Sequence, residues 1–270
     1  MRELFEQHIK TNDRQSSKGN QLKWENEGVW YKADYTGYEG LAEYVISHLL
    51  KMSTLSENEY VLYDLEEMKY KSQIYNGVKS KSFLTTGWQI ITLERLFNDI
   101  TGESLYKTIY KIVDHENRFK YLVTQMERIT GLENFGIYLN KLFTIDAFFL
   151  NEDRHMHNIA VLMNENGEFA YCPIFDHGAG LLADTTLDYP MSEDVYELLE
   201  QVQAKTICAD FDEQLDISES LYNVNLKFKF SKKDVKDLLD KATIYSEEER
   251  DRVEKIIYAQ MRKYRYLFID

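Results

Sequence analysis

Residues 133 to 176 constrain the fold more than any other part of the chain. GLENFGIYLNKLFTIDAFFL (131–150) carries apolar side chains nearly all round its second half, so it predicts a helix over 133–150 buried on every side rather than a surface helix. NEDRHMHN (151–158) then crowds charge, imidazole and amide into eight residues. NIAVLMNENGEFAYCPIFD (158–176) follows and reads as a hairpin, with strands over 158–163 and 168–175 about an Asn-Gly turn at 166–167. A polar loop held by a buried helix on one side and a hairpin on the other is fixed at both ends. Such loops are where reactive groups are positioned.

The flanking sequence changes character along its length. NQLKWENEGVWYKA (20–33) predicts two short strands about Glu27-Gly28. Over 37–53, Leu41, Val45 and Leu49 lie beside Ala42, Ile46 and Leu50, two rows at helical spacing that predict an amphipathic helix. Residues 60–65 and 78–84 lean toward strand, with 69–77 reading as a loop. Beyond TTGW the pattern turns helical over 92–101, 103–113 and 115–130, and the chain closes on a helix over 246–266 with Ser246 as N-cap and acids in its first turn. Two prolines and twelve glycines in 270 residues leave room for long elements. The expectation is an α+β, bilobal architecture: a small sheet-bearing N-lobe over 1–85 and a larger, mostly helical C-lobe over 86–270, with a cleft between them.

Charge and composition narrow the function. A net charge of −14 repels phosphate backbones, and the lysines are interspersed with acids, so no direct contact with nucleic acid is expected. Cys172 and Cys208 are too few for a disulfide framework and read as reduced thiols of a cytoplasmic protein. No window approaches 18 apolar residues, and the charged start MRELFEQHIKTNDRQ has no apolar core, so neither a membrane span nor a secretory signal is expected.

Phosphoryl transfer needs a carboxylate at the attacking hydroxyl, an amide and a second carboxylate for Mg²⁺, a lysine on the phosphates, an acid to position that lysine, and a loop over the nucleotide. The chain offers each in the order protein kinases use. Asp153 and Asn158 stand five apart, the spacing of the kinase catalytic base and its metal-binding Asn, although here the His follows the Asp. Asp176, followed by His177 and Gly178, ends the hairpin, which should return it beside Asn158. Lys32 falls on the second strand, Glu39 and Glu43 share a face of the next helix, and SSKGNQLK (16–23) supplies a small-residue loop with Ser16, Ser17 and Gly19. Taken singly, each has an inert reading. Lys32 alone is a surface lysine, and EGLAE alone is an exposed helix face. His155 and His157 could ligate zinc as an H-x-H with Asp153 or His177, or His155 could pack beneath the loop and hold its backbone. Only the ordered set favours a kinase.

That set resembles the HipA-like kinases. SSKGNQLK is similar to their S-x-x-G-x-Q-x-K loop, NEDRHMHN to their N-x-D-R-H-x-x-N, CPIFDHGAGLL to their P-x-x-D segment, and AEYVISHLL (42–50) to their N-E-Y helix, which points to Glu43 rather than Glu39. The D-R-H-x-x-N…D arrangement is also similar to phosphatidylinositol 4-kinases. The resemblance spans roughly 16–200 and implies a protein-kinase-like fold and ATP- and Mg²⁺-dependent phosphorylation of Ser or Thr on a protein substrate. It implies Asp153 as base, Asn158 and Asp176 as Mg²⁺ ligands, and Lys32 on the nucleotide phosphates. Glu43, Ser16, Gly19 and His155 would then line the nucleotide site, and Ser16 before Ser17 would be the autophosphorylation position. Many members are toxins paired with a DNA-binding antitoxin. HipA proper carries a further N-terminal subdomain where this chain has 15 residues, and D-H-G stands nearer the ordinary D-F-G, so the resemblance implies a compact toxin or effector kinase. The alternatives are a small-molecule or lipid-headgroup kinase on the same fold, and a non-catalytic kinase-like binding module.

Overall fold

In the computed structural model, which describes residues 1–10 and 21–269, β1 (Arg2–Leu4) is followed by a hairpin of β2 (Lys23–Asn26) and β3 (Val29–Ala33). Its two turn residues, Glu27 and Gly28, have φ of 54° and 76°. That left-handed pair matches the twist of the strands and needs a residue without a Cβ in one of its places. Helix α1 (Glu39–Leu50), β4 (Asp64–Leu65), β5 (Met68–Tyr70), β6 (Gln73–Tyr75) and β7 (Gly77–Lys81) follow. Strands β2, β3, β7 and β4 form one antiparallel sheet in that order. A second sheet has β1 parallel to β5 and β5 antiparallel to β6, where a loop over 69–77 was expected. These strands are three residues long and mostly half-buried or exposed, too short for alternation to register. Leu4, Trp24, Tyr31, Ala33 and Met68 form a shared core beneath both sheets. Helix α1 packs against β7 on one side and a later helix on the other, so all its residues except Glu39 and His48 are buried.

The chain divides into two compact units: Met1–Phe83 with Phe175–Val202 and Lys227–Asp270, and Leu84–Ile174 with Gln203–Leu226. The second unit opens on β8 (Trp88–Thr92), then α2 (Leu93–Thr101), α3 (Leu105–Ile109), α4 (His115–Thr130), α5 (Phe135–Phe149), β9 (Ala160–Asn164) and β10 (Phe169–Tyr171). The expected hairpin is β9 with β10, and Asn164 Oδ1 accepts the N–H groups of Asn166 and Glu168 at 3.0 and 2.9 Å to close its turn. Sequence reading missed β8, which pairs antiparallel with β9 and passes directly into α2, its Thr92 hydroxyl accepting from Arg95 N–H at 3.3 Å. Every residue from Leu142 to Phe149 is buried, as the all-round apolar pattern requires.

Helix α6 (Val195–Leu199) belongs to the first unit and α7 (Phe211–Tyr222), which packs on α5, to the second. Helices α8 (Lys232–Leu239) and α9 (Glu247–Lys263) return to the first unit, each started by a capping box, Ser231 with Asp234 and Ser246 with Glu249. It is α8 that covers the outer face of α1. Among the described residues no helix is long and apolar enough to cross a membrane.

Candidate functional site

In the first unit, β3 alternates Tyr31 and Ala33 into the shared core, which turns Lys32 to the opposite side. Glu43 lies in the second turn of α1 and is only 1% exposed. A carboxylate so buried must find donors. Lys32 Nζ donates to Glu43 Oε1 at 2.6 Å and the His177 N–H donates to Oε2 at 2.9 Å. Lys32 also donates to Asp176 Oδ1 at 2.7 Å, so one ammonium bridges two carboxylates. The Tyr63 hydroxyl lies 3.5 Å from Lys32 Nζ and accepts from the Asp176 N–H at 3.5 Å, its ring centroid 5.0 Å from the ammonium. Burial works against the Lys32 charge, but Asp176 and Glu43 outweigh it and hold the ammonium well above its ordinary pKa. Burial raises Glu43, and the like charge of Asp176 adds to that.

Glu39 does something else. Its carboxylate accepts from the N–H groups of Tyr35, Thr36 and Gly37 and from the Thr36 hydroxyl, fixing the turn into α1. The Lys32 partner is Glu43. Asp176 itself sits at φ 65°, and Leu181 and Leu182 at 56°, a left-handed cluster that non-glycine residues adopt at a cost.

In the second unit, Leu150 takes φ 58° and ends α5 abruptly. Asp146, fully buried in the last turns of α5, holds Arg154, whose Nε lies 3.2 and 3.1 Å from its two carboxylate oxygens. Burial raises the Asp146 carboxyl to about 6, and the guanidinium restrains it from going further. Arg154 Nη1 donates to the Asn158 carbonyl at 3.1 Å, and the Thr206 hydroxyl donates to the Arg154 carbonyl. The loop is thus pinned from beneath by an arginine, beside the imidazole that holds one of its backbone N–H groups. Asn158 Nδ2 donates to the Asp153 carbonyl at 2.8 Å and to its Oδ2 at 3.0 Å. His155 Nε2 lies 3.6 Å from Asp153 Oδ1, and its Nδ1 accepts the His157 N–H at 3.2 Å. Burial lowers the His155 pKa, which leaves it a neutral acceptor above the acid range. The two imidazoles stand edge to face at 5.5 Å, and among the described residues no third ligand groups with them, so the H-x-H zinc reading finds no support there.

The sequence-named residues therefore form two groups: Lys32, Glu43 and Asp176 in the first unit, and Asp153, His155 and Asn158 in the second. Ser16, Ser17 and Gly19 lie outside the described residues. The Asn158 side-chain amide oxygen and the Asp176 carboxylate are hard oxygen donors, the donor type Mg²⁺ takes. Tyr63, Asp146 and Thr206 were missed. Only Asp146 left a signal, as a lone acid inside FTIDAFFL that must find a cation.

No family model and no curated protein matches the chain. Among solved structures, the crystal structure of the Helicobacter pylori proinflammatory kinase CtkA matches with a TM-score of 0.63 and 17% identity, over 93% of this chain and 90% of that one. HipA of Shewanella oneidensis MR-1, in complex with HipB and operator DNA, matches with a TM-score of 0.45 and 14% identity, over 94% of this chain and 66% of that one, too loosely to carry weight. At such identity the likeness to CtkA establishes fold and not activity. The chain has the α+β fold of CtkA over most of its length.

Proposed function

We propose that the chain is an ATP- and Mg²⁺-dependent serine/threonine protein kinase of HipA-like type. The observation that carries this reading is the buried ammonium of Lys32 held between Glu43 and Asp176. An ion pair of this kind is what a kinase uses to set its phosphate-contacting lysine. Residues 1–85 would form the nucleotide-holding lobe and 86–270 the catalytic lobe.

In this reading Asp153 accepts the proton of the attacking hydroxyl. Its orientation is supported by the Asn158 amide, and the loop that carries both is held by the Arg154–Asp146 pair. Lys32 contacts the nucleotide phosphates, with Glu43 positioning it. Asn158 and Asp176 are the Mg²⁺ ligands, and the ion neutralises charge on the phosphates when bound. Ser16 is the autophosphorylation position, the protein substrate supplies the external hydroxyl, and an antitoxin or other partner chain would regulate a cytoplasmic toxin or effector.

Incubation with labelled ATP and Mg²⁺ followed by mass spectrometry tests this. Phosphate should appear on Ser16 and fall by about 10²–10⁴-fold in rate in Asp153→Ala. No nucleotide binding at millimolar ATP with Mg²⁺ would overturn it. ATP consumption that depends on an added small hydroxyl compound and leaves every protein unlabelled would point to a small-molecule kinase. Binding without turnover would point to a non-catalytic module.

A further inference from the structure

A second group of ligand-type side chains lies in the second unit, away from every residue given a role above. His115 is the first residue of α4, Glu213 lies in the first turn of α7, and Cys208 precedes Asp210, the N-cap of α7. One ligand atom from each lies within 4.8 Å of the other two, the sole such trio of His, Cys, Asp or Glu among the described residues. His115 Nδ1 already stands 2.6 Å from Glu213 Oε1. The thiol is buried, with Sγ donating to the Asp210 carbonyl at 3.2 Å, whereas the His115 and Glu213 side chains are 33% and 47% exposed. The sulfur is therefore buried, while the nitrogen and oxygen donors belong to partly exposed side chains.

We propose that His115, Cys208 and Glu213 bind one thiophilic divalent cation of the zinc class. A thiolate, an imidazole nitrogen and a carboxylate oxygen, with water in the fourth position, make the mixed S/N/O tetrahedral set such ions take. A sulfur donor selects against Mg²⁺ and Ca²⁺, so this site would not compete for the cation that accompanies ATP. As the metal–sulfur bond forms, the thiol proton leaves to solvent, and thiolate and carboxylate together balance the dication. Three features oppose a cation here: burial, which pushes the Cys208 thiol up to about 11, the N-termini of α4 and α7, and the nearby guanidinium of Arg118. Arg118 is itself turned onto the carbonyls of Ile112 and Ile207 and over the Tyr110 ring, and the Asp210 carboxylate adds negative charge near the thiol.

The site has a structural consequence within its own unit. Cys208 follows Thr206 and Ile207, which bond to the Arg154 carbonyl, to Arg118 and to Gln214. A cation on Cys208 would tie α4, α7 and this segment together, and so brace the support of the Asp153–Asn158 loop. The site stands whether or not the chain is a kinase.

The metal-free full chain is titrated with Co²⁺ and then Zn²⁺. Expected are a near-ultraviolet thiolate-to-cobalt charge-transfer band with intense tetrahedral visible bands, saturating at one ion per chain and bleached by Zn²⁺. The band should vanish in Cys208→Ser and persist in Cys172→Ser. His115→Ala and Glu213→Gln sit at solvent-facing positions, fold irrespective of the thiol, and should each weaken binding by about tenfold or more. Absence of the band in the wild-type chain, a band that follows Cys172, or unchanged affinity in both surface variants would overturn the site.

Discussion

Lys32 separates two carboxylates that would otherwise repel one another, and this makes it structural as well as reactive. Glu43 is 1% exposed and accepts from Lys32 at 2.6 Å, while Asp176 accepts at 2.7 Å. Lys32→Met leaves both without their cation, and breaking a buried pair from one side costs about 3–5 kcal/mol. Urea denaturation at neutral pH should show that loss. Most of it should return in Lys32→Met/Glu43→Gln, because the glutamine carbonyl still accepts the His177 N–H without a charge. An unchanged midpoint in the single variant would refute the bridge. Asp34 offers a test by pH. It accepts from the Gly40 N–H at 2.6 Å and the Tyr245 hydroxyl at 2.8 Å, and burial, with Glu39 adding like charge, raises its carboxyl to about 8. An acid whose folded pKa lies above its unfolded value binds more protons folded, so stability falls as pH rises from the ordinary carboxylate range toward about 8. Asp34→Asn removes that titration. Its Tm should therefore decline less than the wild-type Tm between pH ~5 and ~8, as followed by thermal melts.

Elements show where local pattern suffices and where it fails. Helix α5 and the β9–β10 hairpin were legible because burial on all sides and an Asn-Gly turn are written in adjacent residues. The start of α9 was legible through Ser246 and its following acids. Strand β8 was not, because Trp88–Thr92 is fixed by partners in β9 some seventy residues away and gives way to α2 without a linker. The same limit applies to the site. D-x-x-x-x-N and D-H-G are local and readable, whereas Tyr63 reaches Lys32 through packing alone. Gly136 is a further case. In a helix it costs about 1 kcal/mol against alanine, so Gly136→Ala would ordinarily stabilise α5. Here an added Cβ would lie 2.1 Å from Tyr222 Cζ, on the ring that α7 lays over α5 and that Phe119 meets edge-on. The substitution should therefore destabilise by about 1–3 kcal/mol, and Tyr222→Ala in the same chain should reverse its sign. Chemical denaturation of the two single variants and the double variant reads both.

At the scale of the molecule, the chain passes between its units at 83–84, 174–175, 202–203 and 226–227, so each is assembled from distant segments. No periodic signal marks such assembly, because the contacts are set by which surfaces meet and not by neighbours in sequence. The closing segment from Lys227 onward is built into the first unit. Its backbone bonds to Met52 and Thr54, and Phe228 bridges Ser53 and Phe268. The Ile244 carbonyl accepts from Asn76 at 2.8 Å, Tyr245 donates to Asp34, and Arg252 holds the Tyr189 and Pro190 carbonyls at 3.0 and 2.9 Å. With α8 gone, α1 would present a second apolar face to water although its first still meets the sheet. A chain ended at Leu226 should therefore lose the order of α1 and β3, and with it the Lys32–Glu43–Asp176 group, although none of those residues is deleted. Hydrogen exchange should show amides of α1 and β3 protected in the full chain and exchanging near the rate of unstructured peptide in the shortened one. Retained protection there would mean that 1–83 and 175–202 hold the lysine bridge without the closing helices, and that the packing of α8 on α1 adds little.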